Sequence, residues 1–364
     1  MHRILFAASL LELAALTSAA QPFTTDPRDL DFVQISDDVH VAFRPDPLRY
    51  WVEGNVTIIL NEKDVVVVDG SGSNRSARQV INYIRSLTDN PVTVLINTHG
   101  HGDHTVGNSE YVKAFPGIEI VSRQETYDYL TGSGIGYVAD IAKSVESRKA
   151  AGEEEIQRVV AEGGPGAEAI VANLRQYFEH DIDIRQQAYR EAVIAPPTIT
   201  VESGLTLHRG KRTIEVRYLG PGDTHGDLVV FLPQDHIVAT GDMVVHPFPY
   251  GFSRDALDWV NTLDSLAALD FDTLIPGHGE VQHAKSYLRK VQTLLRYVQR
   301  EVNAAIDEGL TEDETAARID LSSYKNSFAG DDPVTRYYFD EYFAHPNVRR
   351  TYRSIVESRE ASSP

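Results

Sequence analysis

An α/β fold is predicted by three features of this 364-residue sequence. Short β-branched runs alternate with segments of helical periodicity, the pattern of a sheet covered by helices. Glycine, proline, asparagine and aspartate sit between the runs and punctuate them. The 42% hydrophobic content supplies a core of the size this length requires.

The elements follow in order. Residues 32–68 read as strands, with apolar runs at 39–43, 56–60 and 65–68 separated by turn residues such as Asn61 and Asp64. Asp69-Gly70 closes the last run. Residues 76–87 read as a helix, with Val80, Ile81, Ile84 and Leu87 on one face. Strands follow at 92–96 and 118–121. From about 137 to 191 the chain turns polar and helical, with a break at Gly163-Gly164-Pro165-Gly166, and reads as a helical insertion. Strands resume at 199–201, 213–216, 228–232 and 236–239. Helices are expected at 255–269 and 287–306, and Thr311-Glu312-Asp313-Glu314 is a capping-box start for another. The expected organisation is a motif-bearing domain over residues 32–290 and a helical C-terminal extension over 291–364.

Residues 1–20 have the form of a signal peptide. Arg3 precedes an apolar run over 4–16, interrupted by Glu12, and Ser18-Ala19-Ala20 forms a small-residue cleavage site. A buried N-terminal helix is the competing reading. No later stretch reaches the ~18 apolar residues of a membrane span, so a periplasmic or secreted protein is expected. The chain has no cysteine, which excludes disulfides, thiolate ligands and a cysteine nucleophile. The net charge of −19 offers no basic excess for a nucleic-acid partner. Composition leaves the oligomeric state open.

The chemistry is concentrated in Thr98-His99-Gly100-His101-Gly102-Asp103-His104. Four candidate ligands lie within six residues, separated by glycines, directly after a strand. Imidazole and carboxylate donors suit zinc and similar first-row metals; iron or manganese are alternatives. With 13 histidines in the whole chain, this density argues against an ordinary solvated loop. Three later segments share the context. They are residues 220–227 with His225, Thr240-Gly241-Asp242, and Pro276-Gly277-His278. Each alone reads as a turn; together they read as one site. Asp69 is expected to support the site rather than bind metal. The loop 244–252, rich in proline and aromatics, offers His246 and Tyr250 to a substrate, with plain loop packing as the other reading. His40, His180, His208, His236, His283 and His345 lack partner spacing and are expected outside the site.

His99-Gly100-His101-Gly102-Asp103-His104, Thr224-His225, Thr240-Gly241-Asp242 and Pro276-Gly277-His278, in this order, resemble the motifs of the metallo-β-lactamase-fold hydrolases. That superfamily includes glyoxalase II, acyl-homoserine-lactone lactonases and the zinc β-lactamases. The resemblance covers roughly residues 32–290. It implies an αββα sandwich, two mixed β-sheets back to back with helices outside and two Zn2+ ions along one edge. It assigns His99, His101 and His225 to the first metal, Asp103, His104 and His278 to the second, and Asp242 as the bridge. A hydroxide shared by the metals would attack the substrate, with Asp103 as the catalytic residue that orients it and takes its proton.

A bridging aspartate, where the β-lactamases usually carry cysteine or serine, points to other acyl bonds. The expectation is an exported dinuclear zinc-dependent hydrolase of a small-molecule ester, lactone or related acyl substrate. The alternatives are a β-lactam hydrolase and an exported metal-binding accessory protein with little catalysis. The insertion and the C-terminal helices lie outside the motif-bearing core, and the sequence leaves open whether the insertion is a lid.

Overall fold

The computed structural model describes residues 29–361, apart from 45, 49–51 and 253–255. The expected signal peptide over residues 1–20 lies outside the described residues. Thirteen strands form two sheets among the described residues. The first sheet runs in sequence order through β1 (Asp31–Ser36), β2 (Val39–Phe43), β3 (Val56–Leu60), β4 (Val65–Val68), β5 (Val92–Ile96), β6 (Glu119–Arg123) and β7 (Ile199–Val201). It is antiparallel from β1 to β4 and parallel from β4 to β7. The second sheet contains β8 (Gly204–Arg209), β9 (Arg212–Arg217), β10 (Val229–Leu232), β11 (Ile237–Ala239), β12 (Thr273–Ile275) and β13 (Gln282–His283). Its pairs are antiparallel except β11 with β12. The sheets are mixed, as expected.

Alternation along the strands builds four layers. Val39, Val41, Ile59, Val66, Val68, Val94 and Ile96 of the first sheet face Val216, Val230, Ile237, Ala239 and Ile275 of the second. The intervening residues Ile58, Val65, Val67 and Leu95 point outward. They bury Val80, Ile81 and Ile84 of the helix Asn74–Leu87 and Tyr111 of the helix Asn108–Ala114. On the other outer face, Val229, Phe231, Val238 and Leu274 pack against the helices Ala256–Ala267 and Ser286–Asp307. Both middle layers are apolar on both faces, which is why these strands read as unbroken Val/Ile runs rather than as alternating ones.

Helices occupy residues 124–191 between β6 and β7, starting earlier than the polar shift near 137 suggested. The C-terminal helices join the outer layer of the second sheet through Tyr338, Phe339, Phe343 and Val348. They also meet the insertion: Tyr338 Oη donates to Asn173 Oδ1 at 2.8 Å, and Arg158 pairs with Glu341 at 3.3 Å. The expected capping box at Thr311 and Glu314 forms. Sequence reading missed β8 and β13 and named no separate run at β1 within the strand-like stretch 32–68. Strand β8 alternates exposed and half-buried residues at a sheet edge, so its apolar signal is reduced to Leu205 and Leu207. Among the described residues no helix is long and apolar enough to cross a membrane.

Candidate metal centre

One edge of the sandwich collects the loops that bear candidate ligands. Strands β4 and β5 are parallel and end there in Asp69 and in the loop 97–104. Strands β11 and β12 are parallel and end there in Thr240-Gly241-Asp242 and Pro276-Gly277-His278. The turn before β10 lies beside them, since Leu228 N donates to Thr98 O at 2.8 Å across the sheets. Asn55, buried just before β3, clamps the same edge. Its main-chain N–H donates to Gly277 O at 2.7 Å, and its side chain donates to Pro276 O and Gly279 O at 2.9 Å each.

The side chains converge in two groups. The ligand atoms of His99, His101, Asp223 and Asp242 lie within 4.8 Å of one another, and so do those of Asp103, His104, Asp242 and His278. Asp242 belongs to both. In the second group, the Nε2 atoms of His104 and His278 stand 3.3 Å apart, each 3.2 Å from Asp242 Oδ1. Asp103 Oδ2 is 3.2 Å from His278 Nε2. In the first, His101 Nδ1 is 3.0 Å from Asp223 Oδ2, and His99 Nε2 is 3.8 Å from Asp242 Oδ2.

The expected ligand His225 is corrected by this geometry. It is exposed and belongs to neither group, whereas Asp223 is buried in the first. The cause lies in Asp227, fully buried at the end of the turn. Its carboxylate accepts from Asp223 N at 3.2 Å, Thr224 N at 2.5 Å and Thr224 Oγ1 at 2.7 Å. The turn so closed seats Asp223 inside and His225 outside. A signal for this was present: Asp242 and His278 each directly follow a glycine, and so does Asp223 in Pro221-Gly222-Asp223.

Asp69 is outside both groups and supports them, as expected. Its carboxylate accepts from His104 Nδ1, Thr98 N and Thr98 Oγ1, each at 2.8 Å. Thr98 Oγ1 in turn lies 3.0 Å from His99 Nδ1. With its proton given to Asp69, that hydroxyl accepts from His99. His278 Nδ1 donates to Glu53 O at 2.9 Å. Three imidazoles thus use Nδ1 as a donor to protein, which leaves the Nε2 lone pair for the centre. Glu53 is itself buried, accepts from Gly72 N at 2.8 Å and sits 3.8 Å from the buried Arg44 guanidinium. Burial pushes its carboxyl up, with Arg44 working against that shift.

Without ions the centre polarises its own protons. Burial opposes charge on His101, but Asp223 raises it to about 9. Burial opposes charge on His278 too, and Asp242 and Asp103 raise it to about 10. Burial and the neighbouring His104 and His101 hold His99 well below the ordinary imidazole range. Burial works against ionisation of Asp242, yet His278 and His104 hold its carboxyl well below the usual range. The fit to metal rests on orphaned atoms: His99 Nε2 and Asp242 Oδ1 are buried and make no hydrogen bond. Neutral imidazole and carboxylate donors around them suit zinc, iron or manganese.

The glycines between the ligands answer to the insertion. A Cβ on Gly100 would meet the Tyr129 ring at 2.7 Å, and one on Gly102 would meet Tyr189 Oη at 2.5 Å. Of the expected substrate residues, Tyr250 is buried with its ring centroid 5.7 Å from that of His278, and its hydroxyl lacks a hydrogen-bond partner. His246 contributes its main chain, donating to His278 O at 3.1 Å, while its ring packs on Tyr287 at 5.3 Å. The six histidines without partner spacing are absent from both groups.

Two ligand groups sharing one aspartate at the edge of an αββα sandwich define a metallo-β-lactamase architecture. The chain belongs to the metallo-beta-lactamase superfamily, whose family model matches residues 49–278. It is similar to a linear primary-alkylsulfatase from a Pseudomonas species, 23% identical over 319 residues, covering 80% of this chain and 54% of the relative. The fold resembles the sec-alkylsulfatase Pisa1 from a Pseudomonas species, with a TM-score of 0.65 and 18% identity over 92% of this chain and 52% of that one. It also resembles a metallo-beta-lactamase from Pontibacter korlensis, with a TM-score of 0.51 and 18% identity over 74% of this chain and 99% of that one. The chain spans about half the length of the alkylsulfatases it matches.

Proposed function

We propose that the chain is a hydrolase of small-molecule sulfate esters that works with two divalent ions, zinc in the first instance. The observation that carries the hydrolase reading is the shared Asp242, flanked by His104 and His278 on one side and His99 on the other. Similarity to alkylsulfatases over 80% of the chain supports the sulfate ester in place of the acyl bond expected from sequence. Three carboxylates in the two groups, set against two dications, leave one formal positive charge, which complements a singly charged ester.

Divalent ions bound there supply Lewis acidity toward the ester and make water acidic enough to act as a nucleophile near neutral pH. The protein's part is positional. Asp69, Thr98 and Glu53 fix the tautomers of His104, His99 and His278. Asp103, with a side chain 20% exposed, is the carboxylate open to the entering water and can take its proton. The Tyr250 hydroxyl, pushed well above the ordinary phenol range by burial, stays protonated and is a donor to a substrate oxygen. Tyr129 and Tyr189 pack on the loop at Gly100 and Gly102 and hold it in place.

The test is an assay of zinc-loaded protein on alkyl and aryl sulfates, with release of inorganic sulfate as readout, beside carboxylic esters, lactones, thioesters and a chromogenic cephalosporin. Sulfate release at the highest kcat/KM is expected. Faster turnover of an acyl or β-lactam substrate would overturn the sulfate reading and return the acyl one. Export, read from residues 1–20, is proposed alongside it and is tested by fractionation of expressing cells.

A further inference from the structure

We propose that Arg185, in the helix Ile182–Glu191 of the insertion, is the specificity-determining cation that receives the anionic group of the substrate. The proposal deepens the sulfate-ester reading and rests on it. Arg185 Nη1 donates to Tyr177 Oη at 2.9 Å, and the guanidinium lies 5.4 Å from the centroid of the Tyr189 ring. Its Nε is buried and makes no hydrogen bond. Among the described residues no carboxylate lies within ion-pair distance of it, and its neighbours are the phenols of Tyr177, Tyr189 and Tyr137. This is unusual in a chain with 53 acidic residues against 34 lysines and arginines. A buried charge is ordinarily paired, since desolvation is otherwise uncompensated.

The position is as informative as the missing partner. The Tyr189 hydroxyl presses on Gly102, between His101 and Asp103. Tyr342 of the C-terminal helices, partly buried and within reach of the Arg185 charge, packs 5.5 Å from Tyr250, and Tyr250 packs on His278. Arg185 therefore stands one ring away from the ligand loop. With Nη1 held by Tyr177, the free edge of the guanidinium presents Nε and Nη2 as parallel donors. Two oxygens of a sulfate-type group match that spacing, and a neutral ester does not.

The experiment compares wild type, Arg185→Met and Arg185→Lys as metal-loaded full-length proteins, with metal content and circular dichroism as controls. KM and kcat are measured for an alkyl sulfate and for a neutral aryl acetate, and inorganic sulfate binding is measured by calorimetry. Arg185→Met should raise both the alkyl-sulfate KM and the sulfate Kd by roughly 10–100-fold, the loss expected for a charge-assisted hydrogen bond. Aryl acetate turnover should stay within about twofold. Arg185→Lys, which keeps the charge but not the fork, should fall between the two. A parallel loss on both substrates with unchanged sulfate binding would show a packing role and overturn the proposal, as would absence of sulfate binding by wild type. Sulfate binding that depends on Arg185 without sulfate-ester turnover would retain the anion site and remove the sulfatase reading. Should Arg185→Met fail to fold, Arg185→Lys alone decides: unchanged sulfate affinity would overturn the proposal.

Discussion

Asp69 Oδ2 accepts the Nδ1 proton of His104 at 2.8 Å, and the same oxygen takes the Thr98 hydroxyl that accepts from His99. One carboxylate outside the ligand set thus orients an imidazole in each group. Replacing it with asparagine keeps its size and tolerates its backbone φ of +65°, but removes the charge that fixes both rings. Asp69→Asn should weaken metal binding by roughly 10–100-fold. Competition with a chromophoric chelator measures it, and unchanged affinity would remove Asp69 from the scheme.

Asp223 and His225 stand two residues apart and face opposite fates, one buried in the centre and the other exposed. Asp223→Ala should lower bound zinc from two equivalents towards one after dialysis, while His225→Ala should keep both. Elemental analysis of the two variants distinguishes the candidate ligand groups of the structure from the set expected by motif alone.

The protons held by His101 and His278, at about 9 and about 10 in the ion-free protein, must leave when a metal binds. Apparent metal affinity should therefore increase with pH up to that range, with proton release visible as a buffer-dependent calorimetric enthalpy. The sign for stability is opposite. Both groups are raised above an unfolded value near 6.5, so the stabilisation they give the ion-free protein is complete below that value and is lost as pH passes 9 to 10. Urea midpoints of the ion-free protein should fall across that interval, and those of the loaded protein should fall less.

Gly277 allows the closest approach in the centre, because a Cβ there would lie 2.0 Å from Asp242 Oδ1 and 2.6 Å from the Gly241 carbonyl carbon. Neither neighbour can yield without moving the shared carboxylate. Gly277→Ala should cost roughly 100-fold or more in kcat/KM, since displacements near 1 Å at a reacting centre have that effect. Steady-state kinetics on the best substrate, with circular dichroism as a control, is the measurement.

The buried middle of this fold was legible because strands covered on both faces are continuous Val and Ile runs. The runs at 39–43, 56–60, 65–68 and 92–96 coincide with β2, β3, β4 and β5. Two edge strands of the second sheet were not legible: β8 has half its residues in solvent, and β13 is two residues long. In the site, His99, His101, Asp103, His104, Asp242 and His278 come together because each follows a strand end that the topology brings to one edge. Asp223 was missed because a histidine two residues later satisfied the expected residue type, whereas burial is decided by the Asp227-closed turn. Arg185 carried no sequence signal, since its isolation from carboxylates exists only after the insertion packs.

The two ligand groups draw on both sheets, with His104 following β5 and His278, 174 positions later, following β12. Ions seated between them would act as removable rivets through the sandwich. The loop they close is nearly half the chain, and the entropy of such a closure grows only slowly with length. Ion loading would therefore set how firmly this edge of the sandwich is tied. With the rivets out, the apolar layer between the sheets, the Thr98–Leu228 bond and the Asn55 clamp would still join them.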